Sequence, residues 1–338
     1  MAAGISLFVF LFVFTEQFTA GFRTGLLNCA RIVIPSLFPF LVSSSLAGSG
    51  DLPKLLKQIA EPVTQKLFRL PSEALPAIIL SQFGGYLSGA KAADSLCRSG
   101  TLSPSQGARL LLFSVNAGMG FAVNAVGNIM LGSREIGRIL LFSLCVSSLA
   151  AGILTRFIPE NELESPKMSK KHIGFSQAVV ESVSQSASAM LSACGFVCVF
   201  SGICSVIEKY IKDESLALFI SCLLEITNGC VGMAGKVSLP LIAAACAFGG
   251  VCVHLQIFAV SKNLPVKIPA FYLFRLIHAA LAYAVCAVTL HFHPVEAQVF
   301  LTFSQNAALW SFSAPAAVSL LFLSALLILD LDNGRKIC

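Results

Sequence analysis

Charge is what this sequence has least of. Asp, Glu, Lys and Arg make up 12% of its 338 residues, about half the share found in soluble domains. So little charge cannot dress a large soluble surface, and one soluble core could not bury the 56% of residues that are hydrophobic. Metal and redox signatures are missing too. The twelve cysteines form no CxxC pair. Most of them, including Cys145, Cys194, Cys198, Cys222, Cys246, Cys252 and Cys286, lie inside apolar stretches and read as small packing residues. The five histidines show no H-E-x-x-H spacing, and no nucleophile stands beside a candidate base. Gly84 to Lys91 reads GGYLSGAK. A phosphate loop needs Lys directly after its last Gly, Ser or Thr next, and a strand before it, and this segment has none of them. The expectation is a protein that is not an enzyme. The net charge of +6 is no nucleic-acid footprint either, because Lys and Arg fall in short connectors between apolar blocks.

Those blocks are what the sequence does have. A helix crosses the ~30 Å hydrocarbon core in about 20 residues. Residues 5–18 form a short first span, without the basic n-region or cleavage site of a signal peptide. Residues 27–46 form a second, with Pro35 and Pro39 inside it. Residues 51–70 mix Leu and Lys at helical spacing and predict a helix lying in the interface. Residues 73–96 are apolar around a glycine-rich, polar centre at 81–91. Each half is too short to cross, which predicts a re-entrant hairpin. Residues 102–131 are long and interrupted at 116–120, residues 136–157 form a plain span, 159–172 a polar linker, and 176–207 another span. A second short piece, 216–236, is centred on Glu225 to Gly229. Residues 239–260 then break at 248–250, and 269–290 and 315–329 are plain spans.

The order of span, short polar-centred hairpin, glycine-broken span and plain span thus occurs twice. Three spans separate the hairpins, so the hairpins enter from opposite faces, and the two units form inverted repeats that place a transport site at mid-membrane. The face of the first hairpin carries more Lys and Arg, among them Lys54, Lys57, Lys66, Arg69, Lys91 and Arg98. That excess puts this face, the central linker and both termini in the cytoplasm.

Candidate binding residues are the polar groups and breaks at membrane depth, where an ionisable side chain usually faces a cavity or a partner. Glu225 stands out, beside Thr227, Asn228 and Gly229. It is either a solute or ion contact or a carboxylate that fixes the hairpin's own amides. Gln82, Gly84, Gly85, Ser88 and Lys91 occupy the matching hairpin, and Lys91 either meets an anion or snorkels to headgroups. Asn116 and Asn124 flank one helix break. Gly249 and Gly250 form the other, with His254 and Gln256 after it. Breaks free backbone groups, and half-helix N-termini carry partial positive charge. For His254 a hydrogen bond between helices is the competing reading, and for Arg275 with His278 structural pairing is favoured.

The stretches IVIPSLFPFLVSSSLAG, GGYLSGAKAADSLCRSGTLSPSQGARLLLFSVNAG, LLEITNG and FGGVCVHLQ occur in that order over about residues 27–290. They resemble the YlbJ-type sporulation integral membrane proteins (the stage V sporulation protein V group). These are part of the nucleoside-recognition or Gate-domain superfamily, with the concentrative nucleoside transporters. The resemblance implies a permease-like protein of endospore-forming bacteria, associated with moving dipicolinic acid across a forespore membrane. One departure is that Leu87 and Ser88 stand where the family pattern has Pro-Ala.

The reading is therefore an all-α integral membrane protein, a polytopic helical bundle of two inverted repeats like a concentrative nucleoside transporter. Its expected parts are an N-terminal span (1–26), a first repeat (27–157), a cytoplasmic linker (158–175), a second repeat (176–290) and a C-terminal span and tail (291–338). The expected function is transport of a small polar or anionic metabolite across the bacterial cell membrane. The alternatives are an ion-coupled nucleoside carrier and a non-transporting scaffold in spore or envelope assembly. The implied partners are a small-molecule solute and the lipid bilayer, with self-association open and nucleic acid excluded. No cofactor is expected, and coupling to H+ or Na+ is left open.

Overall fold

The computed structural model describes residues 2–48, 58, 61–159 and 174–295. Residues 51–57, 59 and 60 of the expected interface helix, nearly all of the polar linker and the final span at 315–329 lie outside the described residues. Among the described residues every regular element is helical, and five helical segments are long and apolar enough to cross a membrane: Thr15–Ser43, Arg134–Thr155, Phe175–Tyr210, Leu239–Val260 and Ile268–Phe292.

Helix α1 (Ala2–Val13) is followed at once by α2 (Thr15–Asn28). A π-type turn, Cys29–Val33, then passes directly into α3 (Ile34–Gly48), which runs through Pro39. The expected boundary between a span ending at 18 and another starting at 27 therefore falls inside one continuous helical path. The wide turn just before Pro35 relaxes the backbone where proline removes an amide, so the apolar run bends without ending.

Next come two pairs of short helices. Helix α4 (Leu75–Gly84) meets α5 (Tyr86–Arg98) at Gly85, whose φ of 90° suits glycine alone. They pack side by side, with Gly89 of α5 so close to Ser81 of α4 that a Cβ would stand 2.9 Å away. With 10 and 13 residues they are about 15 and 20 Å long, short of a bilayer core. Helix α6 (Pro104–Ser114) starts in a capping box made by Ser103 and Gln106, with Pro104 in its first turn. It ends in extended backbone at Val115, and the chain resumes as a π-helix, Gly120–Met130. Helix α7 (Arg134–Thr155), capped by the Ser133 hydroxyl, is long and apolar enough to cross. Helix α8 (Phe175–Tyr210) has 36 residues, about 54 Å, so it tilts or projects beyond the apolar layer.

The second half follows the same order. Helix α9 (Glu214–Leu224), capped by Asp213, meets α10 (Ile226–Met233) at Glu225. Those two fold against each other, since a Cβ on Gly229 would stand 2.6 Å from the Cys222 Cα. Helices α11 (Leu239–Phe248) and α12 (Gly250–Val260) are separated by Gly249, and Gly249 and Gly250 are both at positive φ. Helix α13 (Ile268–Phe292) is long and apolar enough to cross.

The halves interlock reciprocally. Helix α5 of the first half packs on α12 of the second, and α10 of the second packs on the π-helix of the first. Outside this core, α2 crosses α8 at small residues. A Cβ on Gly21 would lie 2.5 Å from the Ser205 Cβ and overlap the Ser201 carbonyl. Gly21→Val is therefore expected to cost about 1–3 kcal/mol through overpacking. The readout is a lower unfolding midpoint of the detergent-solubilised protein.

Candidate functional site

The four interruptions meet at the centre of the bundle. A Cβ on Gly118 would overlap the Gly85 amide and stand 2.5 Å from the Phe83 carbonyl. A Cβ on Gly250 would sit 3.3 Å from both the Cys222 carbonyl and the Ile226 amide. Each short-helix turn thus rests against the break that follows it in its own half. Tyr86 joins the two assemblies: its hydroxyl donates to the Cys246 carbonyl at 2.6 Å, and its ring lies 3.3 Å from where a Gly249 Cβ would be.

Where these turns converge there is a cavity of about 50 Å³, measured as the space open to the centre of a water-sized sphere, which is room for a few waters. Gly84 to Leu87 and Gly118 form one wall, and Glu225 to Thr227 another. Val253 and Gln256 of α12, Phe121, and apolar side chains of the π-turn and α3 (Val33, Leu37, Leu41) and α8 (Met190, Ala193, Val197) complete it. The lining holds one carboxylate, Glu225, and no basic side chain.

The sequence-chosen residues divide between this lining and its support. Gly84, Gly85, Glu225 and Thr227 line the cavity. Glu225 is fully buried and serves as the N-cap of α10, its carboxylate oxygens accepting from the Thr227 amide at 2.9 Å and the Asn228 amide at 2.7 Å. Both of its sequence readings therefore describe one side chain, which fixes the turn's amides and forms part of the cavity wall. Gln82 and Asn116 bind each other, Asn116 Nδ2 donating to Gln82 Oε1 at 2.9 Å, and Gln82 Nε2 also reaches Ser148 on α7 at 3.2 Å. This network braces the first break from behind. The Ser88 hydroxyl donates to the Gly84 carbonyl at 2.8 Å.

The others stand away from the lining. Lys91 reaches the Gln185 carbonyl on α8 at 3.4 Å, and Asn124 is half-buried on the π-helix. Asn228 bridges three helices. Its Nδ2 donates to Ser201 of α8 at 2.7 Å, and its Oδ1 accepts from Asn28 of α2 at 3.0 Å. Asn228→Ala is expected to cost about 1 kcal/mol, the usual worth of an interhelical polar contact in a membrane, seen as a modest fall in the unfolding midpoint. Gly249 and Gly250 shape the second break. His254 is fully buried, with Nε2 2.8 Å from the Phe248 carbonyl and its ring edge-on to Phe271 and Tyr272.

Arg275, on α13, has a larger part than pairing. It contacts His278 at 3.4 Å, and its guanidinium donates to Leu112 and Val115, each at 2.5 Å, and to Ala247 at 3.4 Å. Leu112 and Val115 stand at the C-terminal end of α6, and Ala247 at that of α11. One cation therefore satisfies carbonyls at both breaks, where aligned peptide dipoles leave partial negative charge. Arg109 has a similar role elsewhere, donating to the carbonyls of Thr155, at 3.1 Å, and Phe68. Among the described residues no cluster of His, Cys, Asp or Glu is arranged to hold a metal ion.

Sequence reasoning passed over Tyr86 and named Gln256 only as a polar group after the second break. An aromatic directly after a glycine turn and a lone carboxamide on an apolar helix were the signals available for them. The α3 and α8 walls carry no such signal.

A membrane bundle with this order of motifs can be compared with known proteins. The chain is similar to the sporulation integral membrane protein YlbJ of Bacillus subtilis (strain 168). The two are 22% identical over 318 aligned residues, which cover 81% of this chain and 77% of YlbJ. The similarity agrees with the family resemblance carried by the motifs. No family model and no solved structure matches the chain.

Proposed function

We propose that this chain is a multi-pass permease that carries a small polar or anionic metabolite across the bacterial cell membrane, and that it is not an enzyme. The observation that carries this reading is the convergence of four backbone interruptions on one cavity inside a bundle of apolar helices. At lipid depth, irregular backbone is tolerated only where it is buried in protein or lines a cavity, and transporters use such places to bind solutes. In this reading α4–α5 and α9–α10 are re-entrant hairpins, and α6 with the π-helix, and α11 with α12, are broken crossing helices. The halves are inverted repeats, with hairpin one and both termini facing the cytoplasm. Glu225, Thr227 and the Gly84–Gly85 turn face the solute, Gln82, Ser88, Asn116 and Asn228 hold the hairpins in place, and access alternates between the two sides.

Dipicolinic acid is the solute that the family resemblance suggests. The test is flux of dipicolinate into proteoliposomes containing the purified protein, with a nucleoside in parallel. Saturable dipicolinate entry supports the reading. Entry of the nucleoside alone, driven by a Na+ or H+ gradient, would move the assignment to an ion-coupled nucleoside carrier. No entry of either, with folded protein in the vesicles, favours a scaffold role.

A further inference from the structure

Three arginines meet at the C-terminal end of α7, and none of them lines the central cavity. Arg109 is 3% exposed and donates to the carbonyls of Thr155 and Phe68. It thereby pins a π-type turn, Thr64–Phe68, against the foot of the helix. Arg69 ends that turn in the left-handed region, at φ 50° and ψ 44°. Among the described residues it is the one residue other than glycine at positive φ. A side chain strains the backbone there, and glycine or asparagine is the usual occupant. The arginine has a use at this position: its Nη1 donates to the Arg156 carbonyl at 3.2 Å.

These two guanidinia are short of partners. Among the described residues that bond is the one hydrogen bond either of them makes, and neither forms an ion pair. Arg156 Nε is buried without an acceptor, and the guanidinium lies over the Phe157 ring, 5.7 Å from its centroid. The neighbouring carboxylates are engaged elsewhere, Glu61 with Gln65 and Glu73 with Ser72. Two uncompensated cations, one with a buried unpaired donor, call for an anion. Around them Val63, Leu67, Leu154 and Phe157 are exposed apolar side chains, Phe157 at 72%, and Lys66 is exposed on the turn. Helix α7 has 22 residues, about 33 Å. Its end therefore lies at headgroup depth when it spans a ~30 Å core.

We propose that this is a binding site for an anionic phospholipid. The Arg69 and Arg156 guanidinia hold the headgroup phosphate through forked N–H donors, and an acyl chain lies against Leu67, Leu154 and Phe157. Bound lipid ties the π-type turn to α7 from outside, as Arg109 ties it from within. In the proposed topology the site faces the cytoplasmic leaflet, whose anionic lipids attract basic patches. It does not depend on the transport reading.

The test is native mass spectrometry of the full chain in detergent micelles doped with equal amounts of phosphatidylglycerol and phosphatidylcholine. Wild type is expected to retain phosphatidylglycerol at least fivefold over phosphatidylcholine. Arg156→Gln removes a side chain that makes no hydrogen bond among the described residues. It should keep the wild-type unfolding midpoint in lipid-free detergent and lower the preference at least threefold. Lys209→Gln, which removes the same charge at the end of α8, should leave the preference intact. Equal retention of the two lipids by wild type would overturn the proposal, as would an unchanged preference in folded Arg156→Gln or an equal loss in Lys209→Gln. Displacement of the lipid by an equal concentration of glycerol 1-phosphate, which has no acyl chains, would also overturn it and leave a site for soluble phosphate.

Discussion

Arg275→Met is expected to yield little or no monodisperse protein, the largest loss that any single substitution described here should produce. The wild-type guanidinium donates to the carbonyls of Leu112, Val115 and Ala247 from a fully buried position. Each buried carbonyl left unpaired costs about 1–3 kcal/mol, so losing three partners consumes much of the ~5–15 kcal/mol that holds an ordinary domain together. Methionine fills much of the same volume, so the effect isolates the hydrogen bonds from the packing. Arg275→Lys should not restore the protein, because one ammonium cannot reproduce a planar fork that reaches two helix ends. Yield and unfolding midpoint of the three proteins measure this directly. Stable Arg275→Met protein would mean that the breaks are held by packing alone.

Glu225→Ala is expected to reduce solute flux at least tenfold per reconstituted protein, with a smaller loss of stability. Removing a side-chain N-cap costs about 0.5–2 kcal/mol, which loosens α10 without unfolding the bundle. Flux falls further than stability because the same carboxylate fixes the amides of Thr227 and Asn228 and forms a wall of the cavity. Glu225→Gln keeps one acceptor oxygen, so it should recover most of the unfolding midpoint. Flux and midpoint measured on the same preparations separate the two contributions. Full flux in Glu225→Ala would remove this residue from the site.

Much of the organisation was legible because glycine and proline punctuate apolar runs in a way lipid does not otherwise allow. The centres at Gly84–Gly85, Asn116–Gly118, Glu225 and Gly249–Gly250 were all visible as polar or glycine-rich interruptions. The structure places a helix break at each.

What could not be read was which way each polar side chain points. Gln256 and His254 are two residues apart on one apolar helix, yet only Gln256 lines the cavity, while His254 turns to the Phe248 carbonyl and the aromatic edges of α13. Asn228 and Thr227 are neighbours, and one bridges α2 and α8 while the other faces the cavity. Arg275 reaches the Val115 carbonyl, 160 residues away in sequence. Such choices depend on tertiary neighbours, which hydrophobic periodicity does not encode. The continuity of Thr15 to Gly48 was missed for a different reason. Glycine and charge between 18 and 27 (Gly21, Arg23, Gly25) read as a connector between apolar runs, and here α2 runs straight through them.

The account rests on two halves inserted in opposite senses, and single-cysteine labelling from the two faces of a membrane tests that most directly. Ser95→Cys marks the outer arm of the first hairpin, and Lys236→Cys the end of the second. Both positions are exposed, while the described native cysteines are buried or half-buried; Cys338 is replaced by Ser. With a membrane-impermeant maleimide on sealed, oriented vesicles, Ser95→Cys should be labelled only from the cytoplasmic face and Lys236→Cys only from the opposite one. Labelling of both from the same face would contradict the inverted arrangement and, with it, a site assembled from two opposed hairpins.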